Sequence, residues 1–290
     1  MSDPLLDRTL PSEATPMGYV LRMSRPRFWP YLAGPVVVGV AYAATTTAEL
    51  FEPLAVALFV YFLLPANVFL YGVNDAFDAD IDAENPKKDD REVRYRGGRL
   101  VPALVIATGA LGVAFLPLLP TGGAVAMIAF LLLAAEYSAP PLRFKTTPLL
   151  DSVSNGLYVL PGVVAYAAVA GSVPPLAAVA GGWLWAMAMH TFSAIPDIDP
   201  DRRAGIRTTA TVLGERRTYA YCAACWLAAA AVFGLVHPFF AAVLAGYPLF
   251  AAGIVAADVD VDRAYWWFPA INTVAGMTLT LAALWVMLYG

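Results

Sequence analysis

The sequence predicts an all-α membrane protein with nine transmembrane helices. The chain has 290 residues, 60% of them hydrophobic and 14% charged, whereas soluble domains carry about 25% charged residues. The apolar residues come in long runs, and a run of about 20 residues can cross a bilayer as a helix. The Lys and Arg residues lie between these runs. Together these observations exclude a soluble globular fold and give no sign of a nucleic-acid partner.

The apolar runs define the spans in chain order. The predicted spans are residues 28–47, 54–73, 100–118, 123–139, 149–171, 175–194, 218–236, 238–257 and 265–289. Residues 117–123 and 171–175 are rich in Pro and Gly, as short connections between helices are. Residues 1–27 lack an apolar core and are not a cleavable signal. We therefore expect an N-terminal segment, 1–27, followed by one transmembrane domain, 28–290.

The positions of Lys and Arg predict the orientation. All 18 lie before span one, after spans two, four and six, or before span nine. With nine spans, every one of them falls on the same side of the membrane. Because cytoplasmic loops carry the excess of Lys and Arg, we expect the N-terminus on the cytoplasmic side of the cell membrane.

A first acidic cluster follows span two, in the stretch YGVNDAFDADID. On a helix, Asn74, Asp78 and Asp82 lie one turn apart on one face, with Asp75 beside them. Carboxylates this close repel one another unless a cation lies among them. The stretch therefore predicts a cation site at the cytoplasmic end of the span.

A second acidic cluster, DIDPD, follows span six and contains Asp197 and Asp201. We expect the two clusters to face each other and to hold Mg²⁺, which prefers oxygen ligands and commonly binds substrate phosphates as well. Asn67 lies seven residues before Asn74, and His190 lies seven before Asp197. This weak repeat predicts two related four-helix halves and a ninth helix.

Basic residues accompany both clusters on the same side of the membrane. They are Lys87, Lys88, Arg143, Lys145, Arg202, Arg203 and Arg207. Arg and Lys bind phosphate oxygens, and Arg does so with two parallel hydrogen bonds. Acidic clusters and basic loops above an apolar interior predict a site for a lipid diphosphate, with the headgroup at the rim and the tail among the helices.

Several stretches of the chain resemble the UbiA superfamily of intramembrane prenyltransferases. NDAFDADID matches the family's N-D-x-x-D-x-x-x-D signature, and DIDPDRRAGIRTTATVLG is similar to its second acidic motif with the R-x-G-x-x-T stretch that follows. YSAPPLRFK, after span four, resembles a third signature, and SRPRFW near span one is also similar to the family. The motifs occur in the family's order on a nine-span frame.

The resemblance implies a fold, a reaction and roles for residues. The helices would surround a central cavity open to lipid, and the reaction would be Mg²⁺-dependent transfer of a prenyl group from a prenyl diphosphate. The metal ligands would be Asn74, Asp78 and Asp82 from the first cluster, with Asp75 a further candidate, and Asp197 and Asp201 from the second. Tyr137 and Lys145 would contact the diphosphate and act in catalysis with the four ligand aspartates Asp78, Asp82, Asp197 and Asp201. Arg25 would line the same site.

The stretches around the first acidic cluster and the first span indicate the acceptor. YGVNDAFDADIDAENPKK and SRPRFWPYLAGP are similar to the carotenoid branch of the family, the lycopene elongases, which add C5 units from dimethylallyl diphosphate to lycopene. Family members that act on aromatic acids usually carry an R-P-L-x-S-G-like stretch after the first motif. This chain has NPKKDDREVRYRGG there, which disfavours an aromatic-acid acceptor. The alternatives are a prenyltransferase for ether lipids, acting on geranylgeranylglyceryl phosphate, or for quinone precursors.

A transporter of cations is the alternative from another class, because membrane carboxylates also mark ion pathways. The acids lie at the ends of spans beside basic loops, which favours phosphate binding. Glu136 is a candidate acceptor for the final proton of the reaction. His190 either lines the cavity or is a hydrogen-bonded structural histidine.

Overall fold

The computed structural model describes residues 9–78 and 95–290, and the described residues form helices and turns with no strand among them. The α-helices, numbered in chain order, are α1 (Pro16–Met23), α2 (Trp29–Ala43), α3 (Pro53–Leu63), α4 (Pro65–Phe77), α5 (Leu100–Ala114), α6 (Thr121–Glu136), α7 (Leu150–Val153), α8 (Leu160–Ala170), α9 (Leu176–Ser193), α10 (Ile198–Arg203), α11 (Thr209–Leu213), α12 (Glu215–Gly234), α13 (Pro238–Leu244), α14 (Gly246–Ala256), α15 (Val261–Trp266) and α16 (Phe268–Tyr289).

Helical segments occupy each of the predicted spans in the described part of the chain. Five are long and apolar enough to cross a membrane: Pro53–Phe77, Leu100–Leu118, Leu150–Ala170, Pro238–Ala256 and Phe268–Tyr289. Helices α2, α6, α9 and α12 fill the other predicted spans but are shorter or less apolar; α6, for example, has 16 residues. The multi-pass helical architecture is confirmed, and the count of nine crossings stays a prediction.

Large apolar side chains face outward from the bundle. Leu249 is 73% exposed, and on α16 Leu281 and Trp285 are 60% and 67% exposed. Water-soluble monomers rarely expose large contiguous apolar patches. An outer surface of this kind is suited to contact with lipid chains.

The buried apolar residues form two main clusters. The first is built from α2 to α4, α6 and α8, where the rings of Phe62 and Phe130 meet edge to face at 5.1 Å. The second is built from α9, α12, α14 and α16, around Trp226 and Phe268. The division between clusters falls between α8 and α9. The proposed relation between two four-helix halves stays a prediction.

Helices α2 and α8 cross in close contact. A Cβ atom at Gly39 would lie 2.3 Å from the carbonyl oxygen of Gly162, so only glycine fits at this crossing. Small residues allow helix backbones to approach in this way. The crossing brings Tyr31 of α2 edge-on to Tyr158, with 6.1 Å between ring centroids.

Candidate active site

The first acidic cluster lies where α4 ends. The backbone N–H of Asp78 donates to the carbonyl of Asn74 at 3.0 Å and closes the last turn. The Asn74 Nδ2 donates to Asp78 Oδ2 at 2.8 Å and to the hydroxyl of Ser138 at 2.9 Å. Asp78 is only 1% exposed. The predicted spacing of one helical turn therefore brings these two side chains into contact.

The loop after α6 brings two cations to Asp78. Arg143 Nη2 lies 3.1 Å from Asp78 Oδ1, and Lys145 Nζ contacts Asp78 Oδ2. The loop folds back through a bond from the Lys145 N–H to the Tyr137 carbonyl at 3.0 Å. Arg143 has a φ of 42°, a left-handed conformation that is uncommon outside glycine. Charge pairing at a buried carboxylate is the compensation that burial of an ion requires.

Arg25 approaches the same cluster from the N-terminal segment. Its Nη2 donates to Asn74 Oδ1 at 3.4 Å and to Asp75 Oδ1 at 3.3 Å. The guanidinium lies over the ring of Tyr71, 4.5 Å from the centroid, in a cation–π arrangement. Arg25 thus meets the first acidic cluster, and its φ of 53° is also left-handed.

The environment of Asp75 extends to α1. Burial raises the pKa of the Tyr19 hydroxyl, and the nearby Asp75 carboxylate adds to that shift, against a hydrogen bond from the Arg96 backbone that lowers it. Tyr19 therefore remains a neutral phenol at physiological pH. Asp75 itself is 2% exposed.

The second acidic cluster is more open. Asp197 ends the turn Ile195–Asp197, and it and Asp201 are half-buried. Asp199 points to solvent at 82% exposed, 3.9 Å from Arg202. The Arg202 Nε and Nη2 donate to the Thr211 carbonyl at 3.1 and 2.7 Å. These bonds join Arg202 of α10 to Thr211 of α11 and stabilise the loop that follows the cluster.

The remaining basic residues of this loop, Arg203 and Arg207, are exposed.

The segment that carries Arg25 also reaches the second cluster. Arg27 stacks over the Trp266 ring at 3.3 Å and donates to the Trp266 carbonyl. Trp266 ends α15, which packs against the turn that holds Asp197. The neighbouring Tyr265 lies within electrostatic range of both Arg27 and Asp197. The two clusters are therefore linked through one short segment, and they lie at the same end of the bundle.

Three predicted site residues, Asp82, Lys87 and Lys88, lie outside the described residues. Within residues 9–78 and 95–290, no group of three His, Cys, Asp or Glu side chains is arranged to hold a metal ion. The donors present in the first cluster are all carboxylate or amide oxygens, which suit Mg²⁺. Three cationic side chains already converge on these oxygens. The oxygen donors of the first cluster fit a magnesium ion in their chemistry, while in this structure the three cations contact those oxygens.

Asp151 is a buried acidic residue that belongs to none of the predicted motifs. It lies in the first turn of α7, is 1% exposed, and accepts hydrogen bonds from the Thr209 N–H at 2.9 Å and from the Thr209 hydroxyl. Asn155 donates to its backbone carbonyl at 2.6 Å. A single carboxylate inside a predicted span is a signal that could have identified this residue.

Tyr137 and His190 meet in the interior. The Tyr137 hydroxyl and His190 Nε2 are 3.1 Å apart, and the rings are perpendicular at 5.7 Å. Both side chains are half-buried, and both lie within electrostatic range of Asp151. Glu136 instead accepts the Leu142 N–H at 3.1 Å, toward the loop.

The UbiA prenyltransferase family matches residues 32–273. The chain is 65% identical to a lycopene elongase/hydratase of Haloarcula japonica, over 98% of this chain and 97% of that protein. It is 61% identical to a lycopene elongase/hydratase of Halobacterium salinarum, over 94% of this chain and 99% of that protein.

Two solved structures share the fold. A UbiA homolog from Archaeoglobus fulgidus, bound to GPP and Mg²⁺, superposes with a TM-score of 0.68 at 20% identity, over 90% of this chain and 99% of that one. A digeranylgeranylglyceryl phosphate synthase superposes with a TM-score of 0.67 at 10% identity, over 91% and 97% of the two chains. At sequence identities of 20% and 10%, these similarities show a shared fold alone.

Proposed function

Because the chain belongs to the UbiA prenyltransferase family, we propose that it transfers a C5 prenyl group from dimethylallyl diphosphate to lycopene, as a lycopene elongase with its active site at the cytoplasmic face of the cell membrane. Relatives that share more than 60% of their residues with this chain are named for lycopene elongation and hydration. The family sets aside the alternative of a cation transporter. The ether-lipid and quinone alternatives use the same kind of site and differ in the acceptor.

One observation carries the proposal of a diphosphate site. Three cations, Arg25, Arg143 and Lys145, converge from distant parts of the chain on the acidic end of α4. Ordinary exposed residues gain nothing from three cations gathered at one carboxylate cluster. A leaving diphosphate, by contrast, is stabilised by positive charge that is already in place. The outer face of the bundle is apolar, which supports access for a lipophilic donor tail and acceptor from the membrane.

The chain's own residues have distinct tasks in the proposed mechanism. Mg²⁺, when bound by the two acidic clusters, would supply the charge that neutralises the departing diphosphate. Lys145 and Arg143, which pair with Asp78, are placed to bind diphosphate oxygens in the same step. Arg25 holds Asn74 and Asp75 in position. Departure of the diphosphate leaves an allylic cation, and a terminal alkene of lycopene attacks it to form the new C–C bond.

The allylic cation needs shelter from water. Tyr71 and Tyr158 lie beside Arg25 in the interior, and Phe28 lies 6.4 Å from the Tyr71 ring. Aromatic faces stabilise cations, and a dry site prevents their hydrolysis. We propose that these rings form the wall next to the reacting carbon.

The proposed acceptor is tested by the pigment that the protein makes. When the gene is expressed in cells that accumulate lycopene, we expect carotenoids that carry one or two added C5 units, measured by mass spectrometry. Cells with an empty vector are the control. If labelled donors instead mark geranylgeranylglyceryl phosphate and leave lycopene unlabelled, the acceptor proposed here is wrong.

The proposed metal requirement gives a second prediction. Chelation with EDTA should abolish transfer by the purified protein in lipid vesicles, and excess Mg²⁺ should restore it, because the carboxylates hold the diphosphate only through a cation. The measurement is the initial rate of label transfer to the acceptor. Ca²⁺ serves as the matched control ion, since its larger radius and looser geometry suit this chemistry less well. Full activity in EDTA would contradict the prediction.

A further inference from the structure

The reaction proposed above cannot end at C–C bond formation. Attack by a lycopene alkene leaves a tertiary carbocation on the acceptor, and this cation must lose a proton or take up water and then lose a proton. Either outcome needs a base inside the cavity. General acid–base groups contribute about 10²–10⁴-fold to such steps, so the position of a base is a central question for this site.

Few candidates in the described part of the chain meet the need for a base. The Glu136 carboxylate accepts the Leu142 N–H and is therefore directed toward the loop. Asp151 is nearly fully buried, and its two oxygens accept from Thr209. His237, the second of the two histidines, accepts the Phe239 N–H at the far turn. His190 lies in the interior and is reached through Tyr137.

Tyr137 connects this interior base to the diphosphate site. Its carbonyl accepts the Lys145 N–H, and the next residue, Ser138, bonds to Asn74. Its hydroxyl lies within electrostatic range of Asp78 and meets His190 Nε2 at 3.1 Å. One residue therefore stands between the charged rim and the imidazole.

We propose that Tyr137 and His190 form the proton relay that ends the reaction, an inference that rests on the proposed function. The Tyr137 oxygen takes the proton from the carbon next to the cation, whose C–H electron pair becomes the new double bond, or from a water molecule that has added to the cation. Tyr137 passes its own proton to His190 Nε2. The carboxylate of Asp151 lies within electrostatic range of the imidazolium formed. Tyr137 touches the substrate, and His190 acts through it.

Two variants test the relay in purified protein in lipid vesicles with labelled dimethylallyl diphosphate and lycopene. His190→Gln keeps a hydrogen-bonding partner for Tyr137 but cannot hold the proton, and Tyr137→Phe removes the transferring hydroxyl. We expect kcat for elongated carotenoid to fall about 100-fold in both, with KM for dimethylallyl diphosphate unchanged within about twofold. His237→Gln, the matched control, should retain the kcat of the unaltered protein.

Chemical rescue separates a proton relay from a structural role. Imidazole should restore turnover of His190→Gly in proportion to its concentration and should have no effect on Tyr137→Phe. If both relay variants keep kcat within twofold, or if they raise only KM for the diphosphate, the relay is wrong and Tyr137 serves binding alone. If the unaltered protein makes no elongated carotenoid, the proposed function fails and the relay fails with it.

Discussion

Replacing Asp78 by asparagine should lower prenyl transfer by at least about 100-fold, the effect expected when charge organised around a leaving group is lost. Asp78 is nearly fully buried and bears the contacts of Lys145, Arg143 and Asn74. Asparagine keeps the shape and one oxygen but loses the negative charge that orders both cations and, by the proposal, a magnesium ion. The measurement is label transfer from dimethylallyl diphosphate by protein recovered from membranes.

The second acidic cluster offers a matched control for this experiment. Asp197→Asn should cause a loss as large as Asp78→Asn, whereas Asp199→Asn, at a side chain that is 82% exposed, should retain most activity. Because Asp78 belongs to a buried ion pair, the variant must also be shown by gel filtration to remain monodisperse. Retention of more than a few per cent of activity by both the Asp78 and the Asp197 variants would contradict the metal assignment.

Local spacing explains which parts of the site could be predicted from the sequence. The four-residue interval between Asn74 and Asp78 places both on one helical face, and the structure shows the contact directly. Motif order and charge placement identified the loop with Arg143 and Lys145. The contacts of Asn74, Arg143 and Lys145 with Asp78 agree with helical periodicity and with the order of the motifs. The roles of these residues at a metal ion or a diphosphate, and the side of the membrane on which they lie, stay predictions.

Partners that depend on tertiary packing could not be predicted in the same way. Arg25 reaches residues 49 and 50 positions later in the chain, through a left-handed backbone conformation that no periodicity reveals. The spacing puts His190 seven residues before Asp197, but its partner Tyr137 lies 53 residues away. Such contacts follow from how helices pack, so the sequence gives the participants without their pairing.

Asp151 is the clearest example of a residue whose partner depends on tertiary packing, and its removal should have the largest effect on stability. Asp151→Ala should lower the free energy of unfolding by about 3–5 kcal/mol, because two hydrogen bonds to a buried carboxylate are lost and two donors of Thr209 remain buried without it. Thr209 begins α11 and is 5% exposed. The bond joins α7 to the loop that follows the second acidic cluster, so its loss should also loosen that loop. Thermal unfolding in detergent measures the change.

Variants of Thr209 determine whether this bond is the cause. Thr209→Ser keeps both donors and should be nearly neutral. Thr209→Val removes the hydroxyl, which donates to Asp151 and accepts the Leu149 N–H at 2.7 Å, and should cost part of the Asp151→Ala effect. In the double variant the two losses should not add, because residues that share an interaction are coupled by about 0.5–3 kcal/mol. Exposed Asp199→Ala, the matched control, should stay within about 0.5 kcal/mol of the unaltered protein. Additive losses would show that Asp151 stabilises the fold through contacts other than Thr209.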